Sequence, residues 1–448
     1  MAAGSGKGGR EETNDLTHDL TEALGPPRDH ARVSEMARGL LGSEILRVSG
    51  EIRTLVSKGA KICNLTVGDF NPKEFPIPAG LRDRIAEALA QGETNYPPAD
   101  GMPELRLSVQ RFYERDLGLR YPLEGIVIAS GARPIVYGVF RAVVDSGQPV
   151  AFPVPSWNNN HYTYMVGGEA VVLPTGPEHG FMPTAEQLAP HLPRIRLLCL
   201  GSALNPTGTM FVPEQLRAIC EAVVAENQRR ASDGRPPLIV MYDHIYWKLT
   251  FGSVKHVTPV GLVPEMAPYT VFVDGISKAF AATGLRVGWG VGPPSIISRM
   301  KDIIGHTGAW APRAEQVASA KFMDDTQAME HFLVGMRKGV ASRLEALHEG
   351  LMGLRAKGLP VSDIAPQGAI YLSARFDLIG RGGLRTNEEI RKLLLERAGF
   401  AAVAFQAFGL PDETGWFRLS VGAVSERDIR EVMPRVEAAL RSVVDAAA

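Results

Sequence analysis

The chain has 448 residues, 45% of them hydrophobic, and 48 Lys and Arg against 49 Asp and Glu give a net charge of −1. That length suits roughly two or three domains around a large core, and the balanced charge excludes a polybasic nucleic-acid binder or an acidic tail protein. Three cysteines, Cys63, Cys199 and Cys220, are too few for a disulfide framework; no Cys/His spacing suits a metal, and no apolar run approaches a membrane span.

Residues 1–30 are rich in Gly, charge and turn formers and read as a flexible N-terminal arm. Within it, GSGKGG (4–9) lacks the spacing of a phosphate loop and follows no strand. The polar start has no apolar signal core, which together with the sparse cysteines points to the cytoplasm. Apolar runs then predict strands at IVIAS (126–130), PVAFP (149–153), AVVLP (170–174), RLLCLG (196–201), LIVMY (238–242), TVFVD (270–274) and VGWGVG (287–292). Continuous apolar strands separated by helical patterns indicate an α/β protein whose sheet is buried on both faces. In RPIVYGVFRAVV (133–144), Ile135, Val136, Val139, Phe140 and Val143 fall on one helical stripe, with Pro134 in the first turn. From about 325 the pattern changes to long amphipathic helices. The last helix begins at an N-cap, Ser425, and buries Ile429, Val432, Met433, Val436 and Leu440. The layout that follows is a large domain at 80–325 and a smaller one formed by 31–79 with 326–448.

The segment DGISKAFAATGLRVGWGVG (274–292) carries the most chemistry. It places Lys278 just past a strand, at the sheet edge where α/β proteins bind ligands, and lysine is the side chain that forms Schiff bases with carbonyl compounds. Arg286 follows eight residues later. Around it stand SGARP (130–134) between a strand and a helix, SWNNNHY (156–162) after a strand, ALNPTG (203–208), MYDHIY (241–246), TNYPPADGMPELR (94–106), WFRLSVG (416–422), NLTVGD (64–69) and PQGAIY (366–371).

In this order, from about residue 35 to the C-terminus, these motifs resemble the class I/II aminotransferases of the aspartate aminotransferase superfamily, which use pyridoxal 5′-phosphate (PLP). The resemblance implies a large domain with a mostly parallel seven-stranded sheet between helices, plus a smaller α+β domain. It makes Lys278 the Schiff-base lysine and proton carrier, with Ser277 beside it, and Arg286 a phosphate-binding guanidinium. Gly131, Ala132 and Arg133 form the turn that holds the phosphate at a helix N-terminus, and Trp157 stacks on the cofactor ring. Asn205 and Tyr246 bond the ring's phenolic oxygen, and Asp243 pairs with its pyridinium nitrogen, a cation that would depress the carboxyl pKa. Tyr96 reaches the phosphate of a neighbouring subunit, which implies a homodimer with shared sites. Arg418 clamps the substrate α-carboxylate; Gly68, Trp157 and Asn205 lie near the substrate.

Some positions depart from the family pattern. Gly275 stands where some members have a phosphate-binding Ser, GDFNPKEF (68–75) lacks the Gly-[Asp/Glu]-Pro order, and AAVAFQAFG (401–409) lacks a Pro-Gly. IGHTGAWAP (304–312) offers no arginine for a distal carboxylate, whereas Arg133 stands where a bacterial subgroup has a lysine for that purpose. An aspartate-type donor and an aromatic one, suited by Trp310 and Tyr371, both fit, with 2-oxoglutarate as the acceptor. The same fold also hosts carbon–sulfur β-lyases and decarboxylases. A regulator carrying such a domain would need a DNA-binding segment larger than the 30-residue leader.

Overall fold

A computed structural model describes residues 32–42 and 44–445; the arm expected at 1–30 lies outside them. Among the described residues, those from 32 to Leu41 belong to a unit of their own. Its short helix Glu35–Gly39 is capped by the Ser34 side chain, which accepts from the Ala37 amide at 3.2 Å, and buries none of its residues.

From Gly42 onward the strands, in chain order, are β1 (Cys63–Asn64), β2 (Ile126–Ala129), β3 (Pro149–Val154), β4 (Glu169–Pro174), β5 (Leu197–Gly201), β6 (Ile239–Asp243), β7 (Thr270–Gly275), β8 (Gly288–Val291), β9 (Val361–Asp363), β10 (Tyr371–Phe376), β11 (Phe400–Ala401), β12 (Val403–Ala404) and β13 (Trp416–Ser420). β2 to β8 are the seven strands predicted from apolar runs, each with ends within one residue of the prediction. They form one sheet in the order β2-β8-β7-β6-β5-β3-β4. β8 pairs antiparallel with both neighbours and every other pair is parallel.

The central strands are buried along their length because helices cover both faces. On one face helix Ala132–Val143 lays down the predicted stripe from Ile135 to Val143 against Val127, Val150 and Val271. On the other, helices Pro103–Leu117, Pro213–Ser232 and Arg313–Asp324 contribute Val109, Phe112, Leu216, Ile219 and Phe322. β4 differs: it is the edge strand, and exposed and buried residues alternate along most of it, although AVVLP reads as a continuous apolar run. An edge strand with one face in solvent needs only alternate residues in the core.

β9, β10, β12 and β13 make an antiparallel sheet in the order β12-β13-β10-β9. Helices Thr326–Ala356 and Glu426–Val444 share its core through Val340, Leu347, Val432 and Val436. β1 pairs in parallel with β11, joining residue 63 to residue 400. Among the described residues no helix is long and apolar enough to cross a membrane.

The last helix starts as predicted. The Ser425 hydroxyl accepts from the Asp428 amide at 3.1 Å, and the Asp428 carboxylate accepts from the Ser425 amide, also at 3.1 Å. Ser425→Ala removes one half of this reciprocal cap and is expected to lower stability by about 1 kcal/mol. Urea unfolding monitors the loss, with activity per folded molecule unchanged.

Candidate active site

Because every strand of the large sheet except β8 runs one way, their carboxyl ends lie along a single edge, and the segments that follow β2, β3, β5, β6 and β7 line one cavity of about 700 Å³. β7 leads directly into the one-turn helix Ile276–Ala279, which carries Ser277 and Lys278. β6 ends on Asp243, with Tyr246 three residues on. β5 leads to Asn205, β3 to Trp157, and β2 to the turn before Arg133. β8 runs the other way, so Arg286, which precedes it, reaches the same edge. Arg418 comes from β13 of the smaller sheet. Gly68, Ala132, Arg133, Trp157, Asn205, Asp243, Tyr246, Ser277, Lys278, Arg286 and Arg418 all line the cavity. Two predicted residues do not. Gly131 lies directly behind Arg286, and Tyr96 is 82% exposed, with its ring against that of Trp310 at 5.3 Å.

The Lys278 amine donates to the Gly68 carbonyl at 2.7 Å. Burial pushes its pKa down to about 8. The Asp69 carboxylate opposes this, and the guanidinium groups of Arg418, Arg133 and Arg286 add to it. Burial pushes the Asp243 carboxyl up to about 6 against a hydrogen bond from the Ile245 amide at 3.1 Å and the charge of Lys278. This is the reverse of the depressed carboxyl expected from the resemblance. Burial in the chain acts on Asp243 before any cationic partner does, and a cation opposite it would pull the value back down. Burial pushes the Tyr246 phenol well above its usual range, and its hydroxyl lies 2.6 Å from that of Tyr371.

Arg418 is 1% exposed. Its two terminal nitrogens donate to Asn205 Oδ1 at 3.1 Å and to the Thr66 carbonyl at 2.6 Å, while Nε has no partner among the described residues. Its guanidinium lies between the rings of Tyr371 and Phe408, at 4.7 and 4.8 Å. A guanidinium lining a buried cavity suits a carboxylate, which it can meet with a charge-assisted hydrogen bond. Arg133 is exposed at the cavity rim, its guanidinium 4.7 Å from the centre of the Trp157 ring.

The arginine before β8 and the turn after β2 fit each other closely. Arg286 donates to the carbonyls of Thr283 at 2.6 Å and Ser130 at 3.0 Å. Gly131 has φ 85° and supplies no side-chain cap to the helix at Ala132, and a Cβ there would collide with the Arg286 guanidinium. An uncapped helix N-terminus beside an arginine is a phosphate cradle. Gly275 is explained by the same packing. A Cβ on it would stand 2.7 Å from the Val287 carbonyl and 2.8 Å from Gly288 Cα, so no serine fits at that position. A phosphate cradle, an amine able to form a Schiff base and a carboxylate at the end of β6 together fit PLP.

Aminotransferase class I and II is the family pattern that matches, over residues 60–436. This chain belongs to that family. Relatives include an aspartate aminotransferase of Geobacillus stearothermophilus, 30% identical over 85% of this chain and 93% of its own. Another is a probable aspartate/prephenate aminotransferase of Rhizobium leguminosarum bv. phaseoli, 30% identical over 88% of this chain and 95% of its own. Among solved structures, the aspartate aminotransferase of Thermus thermophilus with maleate superposes with a TM-score of 0.81 at 27% identity, covering 91% of this chain and 99% of that one. The protein is therefore an enzyme, a transaminase of a family whose cofactor is PLP.

One contributor to this aminotransferase site was not singled out from the sequence, and another was named only as suiting an aromatic donor. Asp69 accepts from the Thr283 hydroxyl at 2.5 Å and is the group that opposes the fall of the Lys278 pKa. Tyr371 touches Tyr246 and Arg418. Both sit in motifs read as substrate-proximal, NLTVGD and PQGAIY, but the direction of their side chains depends on register. A lowered lysine pKa means that the neutral, nucleophilic amine appears at lower pH. Labelling of Lys278 in the cofactor-free protein by trinitrobenzenesulfonate, followed by peptide mapping, is expected to rise with a midpoint near 8. A midpoint at the ordinary 10.5 would contradict the burial argument.

Proposed function

We propose that this aminotransferase moves the amino group of an aspartate-type L-amino acid to 2-oxoglutarate, with PLP held by the residues at the sheet edge. The observation that carries the reading is the convergence of Lys278, Asp243, Tyr246 and Arg418 on one cavity. Lys278 would hold the cofactor through its amine. Asp243 would face the ring nitrogen, Tyr246 and Asn205 the phenolic oxygen, and Trp157 the ring face. Arg286, Gly131, Ala132 and Ser277 would surround the phosphate. When bound, PLP supplies an electron sink for the electrons of a bond at the substrate Cα.

The chain's own residues do the rest. Arg418 lines the cavity and would receive the α-carboxylate, which fixes the orientation of Cα. Lys278, with a pKa near 8, takes the proton from Cα and returns it on the other side of the transfer. Asp243 sits at the end of a buried strand, where its carboxylate is worth more than in water. Arg133, at the rim of the same cavity, reads a distal carboxylate. Maleate, the compound with the Thermus thermophilus relative, is a dicarboxylate, and the sequence relatives are named for aspartate. These favour an aspartate-type donor over an aromatic one.

The active unit is a homodimer. An aromatic ring as exposed as Tyr96, braced against Trp310 and outside its own chain's cavity, is suited to a partner's site. We read 80–325 as the large domain, and 31–79 with 326–448 as the small one; the pairing of β1 with β11 supports the second grouping. The three free, buried cysteines suit the cytoplasm.

Donor alone, without keto acid, is expected to give one equivalent of keto acid per site and stop, and 2-oxoglutarate restarts turnover. Continuous release of keto acid and ammonia from donor alone would establish the lyase reading instead. Lys278→Ala is expected to lower the rate by roughly 10³-fold or more. Arg133→Ala is expected to raise KM for aspartate by about 10- to 100-fold while leaving phenylalanine unaffected, as for the loss of one charge-assisted contact. Equal effects on both donors would remove Arg133 from distal-carboxylate recognition.

A further inference from the structure

Tyr371 opens β10 in the smaller sheet, and its side chain is 1% exposed. Its hydroxyl meets that of Tyr246 at 2.6 Å, with the rings edge to face at 5.4 Å. Its ring faces the Arg418 guanidinium at 4.7 Å. The Gly68 backbone passes over the hydroxyl so closely that a Cβ there would lie 2.8 Å from it, and the same Gly68 carbonyl accepts from Lys278. The turn at Gly208 packs against the Tyr371 carbonyl, and the Ser373 hydroxyl donates to the Thr207 carbonyl at 2.8 Å, which holds β10 against the Asn205 turn. One side chain therefore touches Tyr246 and Arg418 and lies beside the Gly68 backbone to which Lys278 donates.

The proton count gives this arrangement a direction. Two hydroxyls share one contact, so one of the two protons lies in it and the other points elsewhere. Tyr371 Oη is enclosed between Gly68 and Tyr246, and Tyr246 Oη is the acceptor within its reach. Tyr246 lies open toward Lys278, whose amine is 5.6 Å from the centre of its ring.

We propose that Tyr371 is a positioning residue of this aminotransferase. It donates to Tyr246 Oη, so that the Tyr246 proton is turned toward the group that Lys278 holds, while its ring supports Arg418. This rests on the assignment of PLP to the cavity. A hydrogen bond accepted by one phenol strengthens the bond that it donates onward. A donor on the cofactor's phenolic oxygen draws off negative charge that otherwise stabilises a neighbouring protonated nitrogen. Removing the donor therefore raises the pH at which that nitrogen loses its proton.

The test is a double-mutant cycle on the holoenzyme, reading the pH midpoint of the cofactor's visible absorbance. Tyr246→Phe is expected to raise the midpoint by roughly one unit or more, Tyr371→Phe by a fraction of that, and the double variant by no more than Tyr246→Phe alone. Tyr371→Phe keeps the ring beneath Arg418, so kcat falls by about threefold to tenfold with KM for the donor unchanged, whereas Tyr371→Leu also raises KM. An unchanged midpoint in Tyr371→Phe, or a double variant equal to the sum of the single shifts, overturns the proposal. Near-UV circular dichroism of each variant matched to the wild type ties a shift to the hydroxyl. If Tyr371→Phe does not fold, the Tyr371→Leu midpoint decides by the same criteria. A wild-type protein that binds PLP with no visible band overturns the functional assignment itself, a result separate from an additive cycle.

Discussion

Gly275, Gly288 and Gly131 lie in a row across the end of the large sheet, and none has room for a methyl group. A Cβ on Gly275 would press on Gly288, one on Gly288 would stand 2.5 Å from the Gly131 carbonyl carbon, and one on Gly131 would enter the Arg286 guanidinium. Backbone meets backbone at this junction, so the end of β7, the start of β8 and the first turn of helix Ala132–Val143 are locked at van der Waals distance. Lys278, Arg286 and the helix N-terminus each lie within a few residues of one of these glycines. Their spacing is set by packed main chain, which side-chain rearrangement cannot relax, and a bound group is met by a preformed frame.

Charge is distributed over this frame in a way that the packing makes effective. Four cationic side chains, Lys278, Arg133, Arg286 and Arg418, face Asp69 and Asp243. Burial acts on Lys278 and Asp243 in opposite senses, lowering the amine to about 8 and raising the carboxyl to about 6. Each is brought toward neutral pH, where a group can exchange a proton readily. Arg418 is kept from collapsing onto a carboxylate of its own chain: its neutral partners, Asn205 and the Thr66 carbonyl, occupy two nitrogens and leave the third unmet. The surplus of positive charge suits substrates that bring a phosphate and carboxylates with them.

Much of this was legible in the sequence because strand burial and strand-end chemistry leave local marks. The seven apolar runs became the seven strands, and the turns after them carried Lys278, Asp243, Asn205 and Trp157 to one edge. β4 was misread in pattern because the sequence does not show which strand lies at the edge. Asp69 was missed, and Tyr371 was named only as suiting an aromatic donor, because the groups they bond, Thr283 and Tyr246, come from residues more than one hundred positions away. The direction of the Asp243 shift was also hidden, since it reflects how deeply the end of β6 is buried. Tyr96 falls outside the cavity of its own chain, and no local pattern in the sequence could locate what it meets.

The central claim is that the sheet edge presents one particular amine to PLP. Protein loaded with PLP, reduced with borohydride and digested can be mapped by mass spectrometry to find which lysine carries the cofactor. The account predicts close to one equivalent per chain, on the peptide containing Lys278, and none in Lys278→Ala. Label spread over several lysines, or retained on another residue in Lys278→Ala, would contradict it.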